Sequence, residues 1–581
     1  MIKSSINFNN WKLHDKYANN VLSHNDSHNN ILADLILRNR GVNIENKDLF
    51  LDLKLKSHMV GPYVINNMHK ACELLYESIE LNQNIGIISD YDVDGATSLA
   101  IITKFLNALG KKTEYYIPSR YTEGYGANNN IILHMINDKK CDLLILLDNG
   151  SSLVKEVELV KSLNKKIIII DHHVVSQGLM ADALVNPNDI NDKSNLGSLC
   201  TAGLVFFFIV AFRRFLYDKN SNLIDNIPNV MDYIDLVALG TICDLMPLIG
   251  LNRAYVNLGI KKIFQRKNIG LRELYDALNI NTPVDKDTIA FFLGPCLNAG
   301  SRMGHSDLAF KLLVEENESN AKMLADRLKS LNNQRKELQQ EMLQEAKYLI
   351  NTEGDENINF VGKNTWNKGL VGIVASKLND FNNKPSFVYA LDDKTNIATV
   401  SGRSVNNISL TPVMRELKEK QLLVNGGGHA QAVGFSFTLN NKQEIIQTIS
   451  RYIAKHLVNY QHVKYLDAML SISACNMKLL SELKSLEPFG MGFKEPIFCV
   501  PNVSLTNIKF IGKESNHASF FATDGSKKSI KVISFNILDN NIEKLLKSYR
   551  NELVDLIVEV KENIFQGKHF IQLHLIDVCT I

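Results

Sequence analysis

The sequence predicts an α/β protein: a parallel-sheet domain joined by a long helix to a smaller α/β domain, then a small β-barrel. Three observations carry that prediction. From residue 85 onward, short aliphatic runs alternate with amphipathic stretches. A segment free of Gly and Pro and rich in helix formers spans 317–350. Beyond about residue 463, apolar and polar residues alternate with the period of half-buried strands.

The elements follow in order. Residues 1–80 read as a polar, helical N-terminal cap. Residues 81–316 hold the aliphatic runs Ile85–Ile88, Leu143–Leu147, Ile167–Ile170 and Leu236–Leu239, each of strand length and bounded by Asp or Gly. Between the first two, Leu99, Ile102, Leu106 and Leu109 recur at helical spacing. Continuous apolar strands suit a parallel sheet covered on both faces. In the 317–350 segment Leu324, Leu328, Leu331, Leu338, Met342 and Ala346 form a stripe, as expected for a connecting helix. Residues 351–457 form a second α/β unit with its own Gly-rich loop. Residues 458–581, with β-like segments such as Ile530–Phe535 and Phe570–Leu575, form the barrel.

Composition bounds the function. The 581 residues allow three or four domains. A hydrophobic fraction of 45% and a charged fraction of 22% exclude a disordered chain or a disulfide miniprotein. The net charge is only +2, so any site for a polyanion must be a local patch. No two of the eight cysteines lie within four residues of each other, which argues against a zinc knuckle or redox pair. Widely spaced thiols among apolar neighbours fit a reducing compartment. Met1–Lys16 is polar and lacks the apolar core of a signal peptide. The longest apolar run, Leu204–Phe212, falls short of the roughly 20 residues a membrane span needs and reads as a buried core helix. A cytoplasmic protein with no membrane association is expected.

The four aliphatic runs share a feature. Asp90-Tyr91-Asp92-Val93-Asp94-Gly95 follows the first, Asp148-Asn149-Gly150 the second, Asp171-His172-His173 the third, and Gly240-Thr241-Ile242-Cys243-Asp244 the fourth. Ligands bind outside the carboxyl ends of strands in open parallel sheets. Four strands would thus deliver carboxylates and imidazoles to one rim. Crowded carboxylates must either take up protons or be neutralised by cations. Oxygen ligands with imidazole suit Mn²⁺ or Mg²⁺, and the ligand count suits two ions. Such a pair can activate a water and clamp the attacking and leaving oxygens of a phosphoryl group. Singly, these signals are weak. Asp90–Gly95 could be half of a calcium loop, although Ile101 stands where its last carboxylate is needed. Asp148-Asn149-Gly150 could be a turn, adjacent strand residues such as His172 and His173 point to opposite faces, and Asp244 could cap a helix. Their joint placement carries the reading.

Two further loops suit phosphate. Asn425-Gly426-Gly427-Gly428-His429 offers backbone N–H groups with His429 at its tip, or is only a flexible hairpin. Ser401-Gly402-Arg403-Ser404 joins a guanidinium to two hydroxyls, or is only a surface turn. Arg302 and Arg120 stand in comparable segments.

In this order the motifs DYDVDG, DNG, DHH and GTICD resemble the DHH phosphoesterase superfamily, and GLVGIVASKL (369–378) with NGGGH resembles its DHHA1 domain. YIPSRYTEGYG, LGPCLNAGSRMG, SGRS and SLEPFGMG narrow the resemblance to the RecJ family, from about Asn84 to Gly492. The tail fits that family's OB-like single-strand-binding barrel. The resemblance implies a single-stranded-DNA-specific 5′→3′ exonuclease of DNA repair and recombination. It implies that Asp90, Asp92 and Asp148 hold one divalent cation, and that Asp94, Asp148, His172 and Asp244 hold the other, with Asp148 bridging. His173 would face the scissile phosphate and Asp171 would orient the histidines. Arg120, Arg302, Ser401, Arg403, Gly428 and His429 would grip backbone phosphates, including the terminal one. Phe510, Phe520, Phe521, Phe535 and Phe565 are candidates for base stacking, although residues 501–581 hold 10 basic against 9 acidic side chains and are not basic overall. Single-strand-binding protein and a helicase are the implied partners, and a monomer the implied state. The chain departs from the family pattern at Ser89, Val93, Cys243, Ser301 and Phe493-Lys494 without losing a ligand. Two rival readings remain: a DHH-family phosphodiesterase acting on nanoRNA or cyclic dinucleotides, and a non-catalytic scaffold.

Overall fold

The computed structural model describes residues 2–7, 9–14, 21–22, 31–280, 282–405, 408–457, 463–512, 515–525, 528–537 and 540–580. The chain forms two compact units. One comprises His58–Met246 and Ala254–Tyr460; the other comprises Met1–Ser57, Pro247–Arg253 and Gln461–Ile581.

The first unit is built on a five-stranded sheet. Its strands run Glu114–Tyr116, Ile85–Ser89, Leu143–Leu147, Lys166–Ile170, Ala183–Val185 across the sheet, all parallel. Leu143–Leu147 and Ile167–Ile170 are wholly buried, as their unbroken aliphatic runs require. Strand order reverses between Ile85–Ser89 and Leu143–Leu147. At such a switch point the loops leaving two neighbouring strands part to opposite sides and open a crevice. Asp90 and Asp148 follow those two strands.

The fourth aliphatic run departs from expectation. Leu236–Leu239 is not a strand; it lies in the helix Ile234–Cys243. Every residue from Ile234 to Ile242 is buried, so the run has no polar face to reveal a helical period. Three strands and one helix end, not four strands, therefore supply the rim. Leu204–Phe212 does lie in a buried helix, Thr201–Asp218.

The connecting helix runs Glu318–Glu353, 36 residues, with the Asn317 side chain capping Asn320 N–H. Leu328, Leu331, Met342 and Ala346 of its stripe are buried, while Leu338 is 36% exposed. It leads to a second sheet ordered Asn425–Gly428, Ala432–Thr438, Ile397–Arg403, Ser386–Asp392, Asn359–Lys363. Only the last pair is parallel. Phe360, Phe387, Tyr389, Phe435 and Phe437 fill its core. Asn425–Gly428 is thus an edge strand rather than a free loop. A Cβ at Gly426 would come within 2.7 Å of the Phe435 Cβ, so glycine lets the edge lie flat against that ring. Ser401–Arg403 likewise ends a strand rather than forming a turn.

The second unit holds the barrel. Phe498–Ile511, His517–Thr523, Ser529–Ser534, Lys568–Thr580 and Val554–Phe565 pair in that cycle, and the last returns to the first. Its core includes Phe498, Phe520, Val532, Leu556 and Leu573. The helical cap expected over 1–80 is mixed: strands precede its helices. Ile2–Ser4 pairs with Asn10–Leu13, which pairs in parallel with Val463–Leu466, and among the described residues the first helix is Ile31–Asn39. Trp11 explains the strand: its ring is buried and its indole N–H donates to Asp577 at 3.0 Å. Phe493, one of the departures from the family pattern, stacks on Phe489 at 5.4 Å. The wholly buried Arg253 lies over Phe493 and Phe50 and donates to the carbonyls of Leu486, Glu487 and Pro488, which gives the SLEPFGMG motif a structural task.

Candidate metal centre

Asp92 caps the helix Val93–Ala108, its side chain accepting from Gly95 N–H at 3.1 Å. That cap turns the chain so that Asp90 and Asp94 point into the rim, both buried. Ser89, another departure from the pattern, donates to Gly95 O at 2.8 Å and braces the same turn. Asp94 sits at the N-terminus of the helix Thr201–Asp218, where it accepts from Thr201 N–H at 2.7 Å and Ala202 N–H at 2.9 Å. Asp148 has a left-handed backbone, φ 60°, that bends the chain sharply off its strand. Its Oδ1 accepts from Thr201 Oγ1 at 2.9 Å. Asn149 ties the turn to Ile88 O, Leu147 O and Ala127 N–H.

Asp171 is the organiser of the histidine pair. It accepts from His172 N–H at 2.8 Å, His173 Nδ1 at 2.7 Å and Ser151 N–H at 3.0 Å. Burial would raise its carboxyl, but the bonds to His173 and Ser151 prevail and hold it below the usual carboxylate range. Burial alone would lower His173; its bond to Asp171 prevails and raises it to about 9. Burial lowers His172. Asp244 ends the helix Ile234–Cys243 and closes the rim.

The ligating atoms of three groups lie within 4.8 Å of one another: Asp90, Asp92 and Asp148; Asp94, His172 and Asp244; Asp148, His172 and His173. Asp148 belongs to two of them. The donor atoms fit cations. Asp90 Oδ1, His172 Nε2 and Asp244 Oδ2 are buried without a hydrogen-bond partner. His172 Nε2 stands 3.5 Å from Asp148 Oδ1 and 3.4 Å from Asp244 Oδ2. Burial, reinforced by neighbouring carboxylates, drives Asp90 and Asp148 well above the usual carboxylate range and takes Asp244 to about 8. Burial raises Asp94 as well. Such a cluster cannot be fully ionised alone, and its oxygens with imidazole suit hard divalent ions.

The phosphate candidates gather beside it. Arg120 lies 4.2 Å above the Tyr91 ring with its Nε buried and unpaired. Arg302 Nη1 donates to Gly369 O at 3.1 Å, and Arg403 Nη1 to Gly402 O at 2.9 Å. A Cβ at Gly372, in the first turn of the helix Val371–Asn382, would stand 3.2 Å from Arg403 Nη2 and 3.3 Å from Ser401 Oγ. A helix N-terminus, a guanidinium and a hydroxyl thus meet, a combination that suits an anion. Gly428 has φ 138° and turns the edge strand toward His429, whose ring stacks 6.5 Å from that of His173. The second lobe therefore reaches the metal centre.

Tyr125 and Thr201 were not picked out from the sequence. Tyr125 Oη donates to Asp148 O at 2.7 Å and lies 3.2 Å from His173 Nδ1. Its place in TEGYG was visible, but its partner 23 residues on was not. Thr201 could have been found only by placing the start of its helix. Of the stacking candidates, Phe520 is core and Phe535 is 49% exposed, while the Phe565 side chain lies outside the described residues.

Comparisons agree with this geometry. Residues 84–241 match the DHH family N-terminal domain, 346–455 the DHHA1 domain and 466–577 the RecJ OB domain. Fold and site together define a phosphoesterase of the DHH class. The chain is 30% identical over 453 residues to the single-stranded-DNA-specific exonuclease RecJ of Escherichia coli, covering 75% of this chain and 78% of that one. It is 29% identical over 511 residues to the Bacillus subtilis RecJ, covering 87% of this chain; it spans 63% of that relative's length. The crystal structure of Thermus thermophilus RecJ in complex with Mn²⁺ superposes with a TM-score of 0.76 at 25% identity, covering 95% of this chain and 76% of that one. The chain belongs to the RecJ family.

Proposed function

We propose that the protein is a metal-dependent exonuclease that degrades single-stranded DNA from its 5′ end and releases 5′-mononucleotides. The observation that carries this reading is the set of three donor groups, sharing Asp148 and His172, in which Asp90 Oδ1, His172 Nε2 and Asp244 Oδ2 are buried without a hydrogen-bond partner. In this reading Asp90, Asp92 and Asp148 hold one Mn²⁺ or Mg²⁺, and Asp94, Asp148, His172 and Asp244 hold the other. When bound, the pair supplies an activated water and neutralises charge on the phosphoryl group. The protein groups do the rest. Asp171 fixes the His173 ring so that a protonated imidazole faces the scissile phosphate and offsets its developing charge. Arg120, Arg302, Ser401, Arg403, Gly428 and His429 bind the terminal phosphate and set the register, so that the first internal phosphodiester lies at the metals.

Residues 81–316 carry the chemistry and share the phosphate grip with 351–457, and 458–581 form a single-strand-binding barrel; 1–80 and 317–350 are the remaining parts of the division. The domain count and the matched OB domain favour long strands over nanoRNA or cyclic dinucleotides. Intact donors argue against a scaffold. Eight free cysteines support a cytoplasmic setting, and no helix among the described residues is long and apolar enough to cross a membrane. A monomer, with single-strand-binding protein and a helicase as partners, is what family membership carries; light scattering and co-purification test these. The function is tested with Mn²⁺ and single- or double-stranded DNA labelled separately at each end. Mononucleotides from the 5′ end of single strands are expected. Release from the 3′ end, or no hydrolysis, would overturn the reading.

A further inference from the structure

We propose that Tyr125 is a positioning residue for the reaction: its hydroxyl fixes the backbone bend that carries Asp148 and, through the same oxygen, the stance of His173. This inference rests on the metal reading above. Tyr125 Oη donates to Asp148 O at 2.7 Å. The same oxygen lies 3.2 Å from His173 Nδ1 and 3.4 Å from its Nε2, and the two rings meet edge to face with centroids 5.7 Å apart. A phenol has one proton to give, and a carbonyl can only accept. With that proton committed to Asp148, the oxygen turns its lone pairs to the imidazole. His173 Nδ1 therefore has two oxygens within reach, Asp171 Oδ1 at 2.7 Å and Tyr125 Oη at 3.2 Å.

Asp148 needs such a hold. Its φ of 60° puts a non-glycine residue in the left-handed region, which persists where the surroundings over-determine it. Three bonds do so. Asp148 N–H donates to Ile170 O at 3.2 Å and fixes the start of the bend. Thr201 Oγ1 donates to Asp148 Oδ1 at 2.9 Å and fixes the carboxylate. Tyr125 fixes the carbonyl, and with it the peptide plane leading to Asn149. The loop that delivers Tyr125 is stapled to the same turn. Gly124 and Gly126 flank it with φ 84° and 71°. A Cβ at Gly126 would stand 3.2 Å from the Asn149 Cβ, and Ala127 N–H donates to Asn149 Oδ1 at 3.3 Å. Before it, Glu123 accepts from Tyr116 Oη and from Ser119 N–H, both at 2.7 Å. Tyr125 itself is 49% exposed, so its ring fills no core position. What it contributes inward is the hydroxyl.

The test compares the full chain with its Tyr125→Phe and Tyr125→Leu variants. Phenylalanine keeps the ring and removes the hydroxyl; leucine removes both. The first readout needs no substrate: calorimetric titration with Mn²⁺, then electron paramagnetic resonance of the loaded chain, in which two neighbouring ions give a coupled spectrum. Tyr125→Phe is expected to weaken Mn²⁺ binding roughly three- to tenfold, the effect of one lost hydrogen bond, and to alter the coupled spectrum. With saturating Mn²⁺ and single-stranded DNA, kcat should fall roughly tenfold while KM stays within about twofold. Tyr125→Leu should match Tyr125→Phe. The metal-free variants should melt within about 3 °C of the metal-free wild type. Wild-type affinity, spectrum and kcat in Tyr125→Phe overturn this inference alone. So does a leucine variant far worse than phenylalanine, which would assign the effect to the ring. So does a metal-free Tyr125→Phe that melts well below the wild type, since the hydroxyl would then support the fold rather than the site. A wild type that takes up no Mn²⁺ overturns both this inference and the metal reading on which it rests.

Discussion

Gly240 is the floor beneath Asp94: a methyl group there would sit 2.6 Å from Asp94 Oδ1 and 2.8 Å from the Ala202 Cβ. Helix Ile234–Cys243 therefore approaches the Asp94 carboxylate as closely as backbone allows. Gly240→Ala must displace Asp94 from its bonds to Thr201 and Ala202, because overpacked sites relax by moving their neighbours. A stability loss of about 1–3 kcal/mol is expected. Mn²⁺ affinity should fall at least tenfold, read by calorimetric titration. Unchanged affinity would separate Asp94 from the metal site.

Metal binding should be linked to protons. Asp244 is raised to about 8 chiefly by burial, with Asp94 and Asp92 adding to it. A carboxyl raised in the folded state holds its proton longer there than in the unfolded chain. Stability of the metal-free protein should therefore fall as pH rises from about 4 toward 8. Cations bind the deprotonated cluster, so apparent Mn²⁺ affinity should rise between pH 6.5 and 8.5. Unfolding temperatures with EDTA and with excess Mn²⁺ should diverge as pH increases. Parallel curves would contradict the linkage.

Asp235 offers a control away from the rim. It is buried in the same helix and raised to about 6 by desolvation. Its carboxyl costs stability once ionised. Asp235→Asn should therefore stabilise the chain at pH 8, by up to about 3 kcal/mol. The gain should shrink as pH falls and vanish near pH 3, below the ordinary carboxyl range, where folded and unfolded states are both largely protonated. Denaturant melts at the two pH values would show it, and a destabilised variant at pH 8 would refute it.

Arg403 abuts the N-terminal turn of helix Val371–Asn382 together with Ser401. Arg403→Ala should weaken preference for 5′-phosphorylated strands by at least tenfold while leaving Mn²⁺ stoichiometry intact, since hydrogen bonds to charged groups contribute about 1.5–3 kcal/mol. Isothermal titration and end-labelled digestion separate the two effects. Loss of metal with unchanged end preference would reverse the assignment.

Much of this site could be read before any fold was known, for a definite reason. Asp90, Asp148 and Asp171 follow aliphatic runs that are wholly buried strands, and such runs are unmistakable when bounded by Asp and Gly. Asp244 was found by the same logic applied to a helix, where a buried run of nine residues hides its period. Asp244 reaches the rim although its element is not a strand, because either element can end there. The edge strand Asn425–Gly428 was hidden because its fit depends on Phe435, a pairing that glycine composition does not announce. The N-terminal strands depend on Asp577, more than 560 residues away, for the Trp11 anchor. Long-range partners of this kind leave no local trace. Tyr125 stayed hidden for the same reason.

The central claim is that Asp148 is shared by two cation sites. Its most direct test is the number of Mn²⁺ ions bound per chain, measured by equilibrium dialysis with elemental analysis, in the wild type and in Asp148→Asn. Two ions in the wild type and fewer than one in the variant, with hydrolysis abolished, is the predicted result. Two ions retained in Asp148→Asn, or none in the wild type, would contradict it.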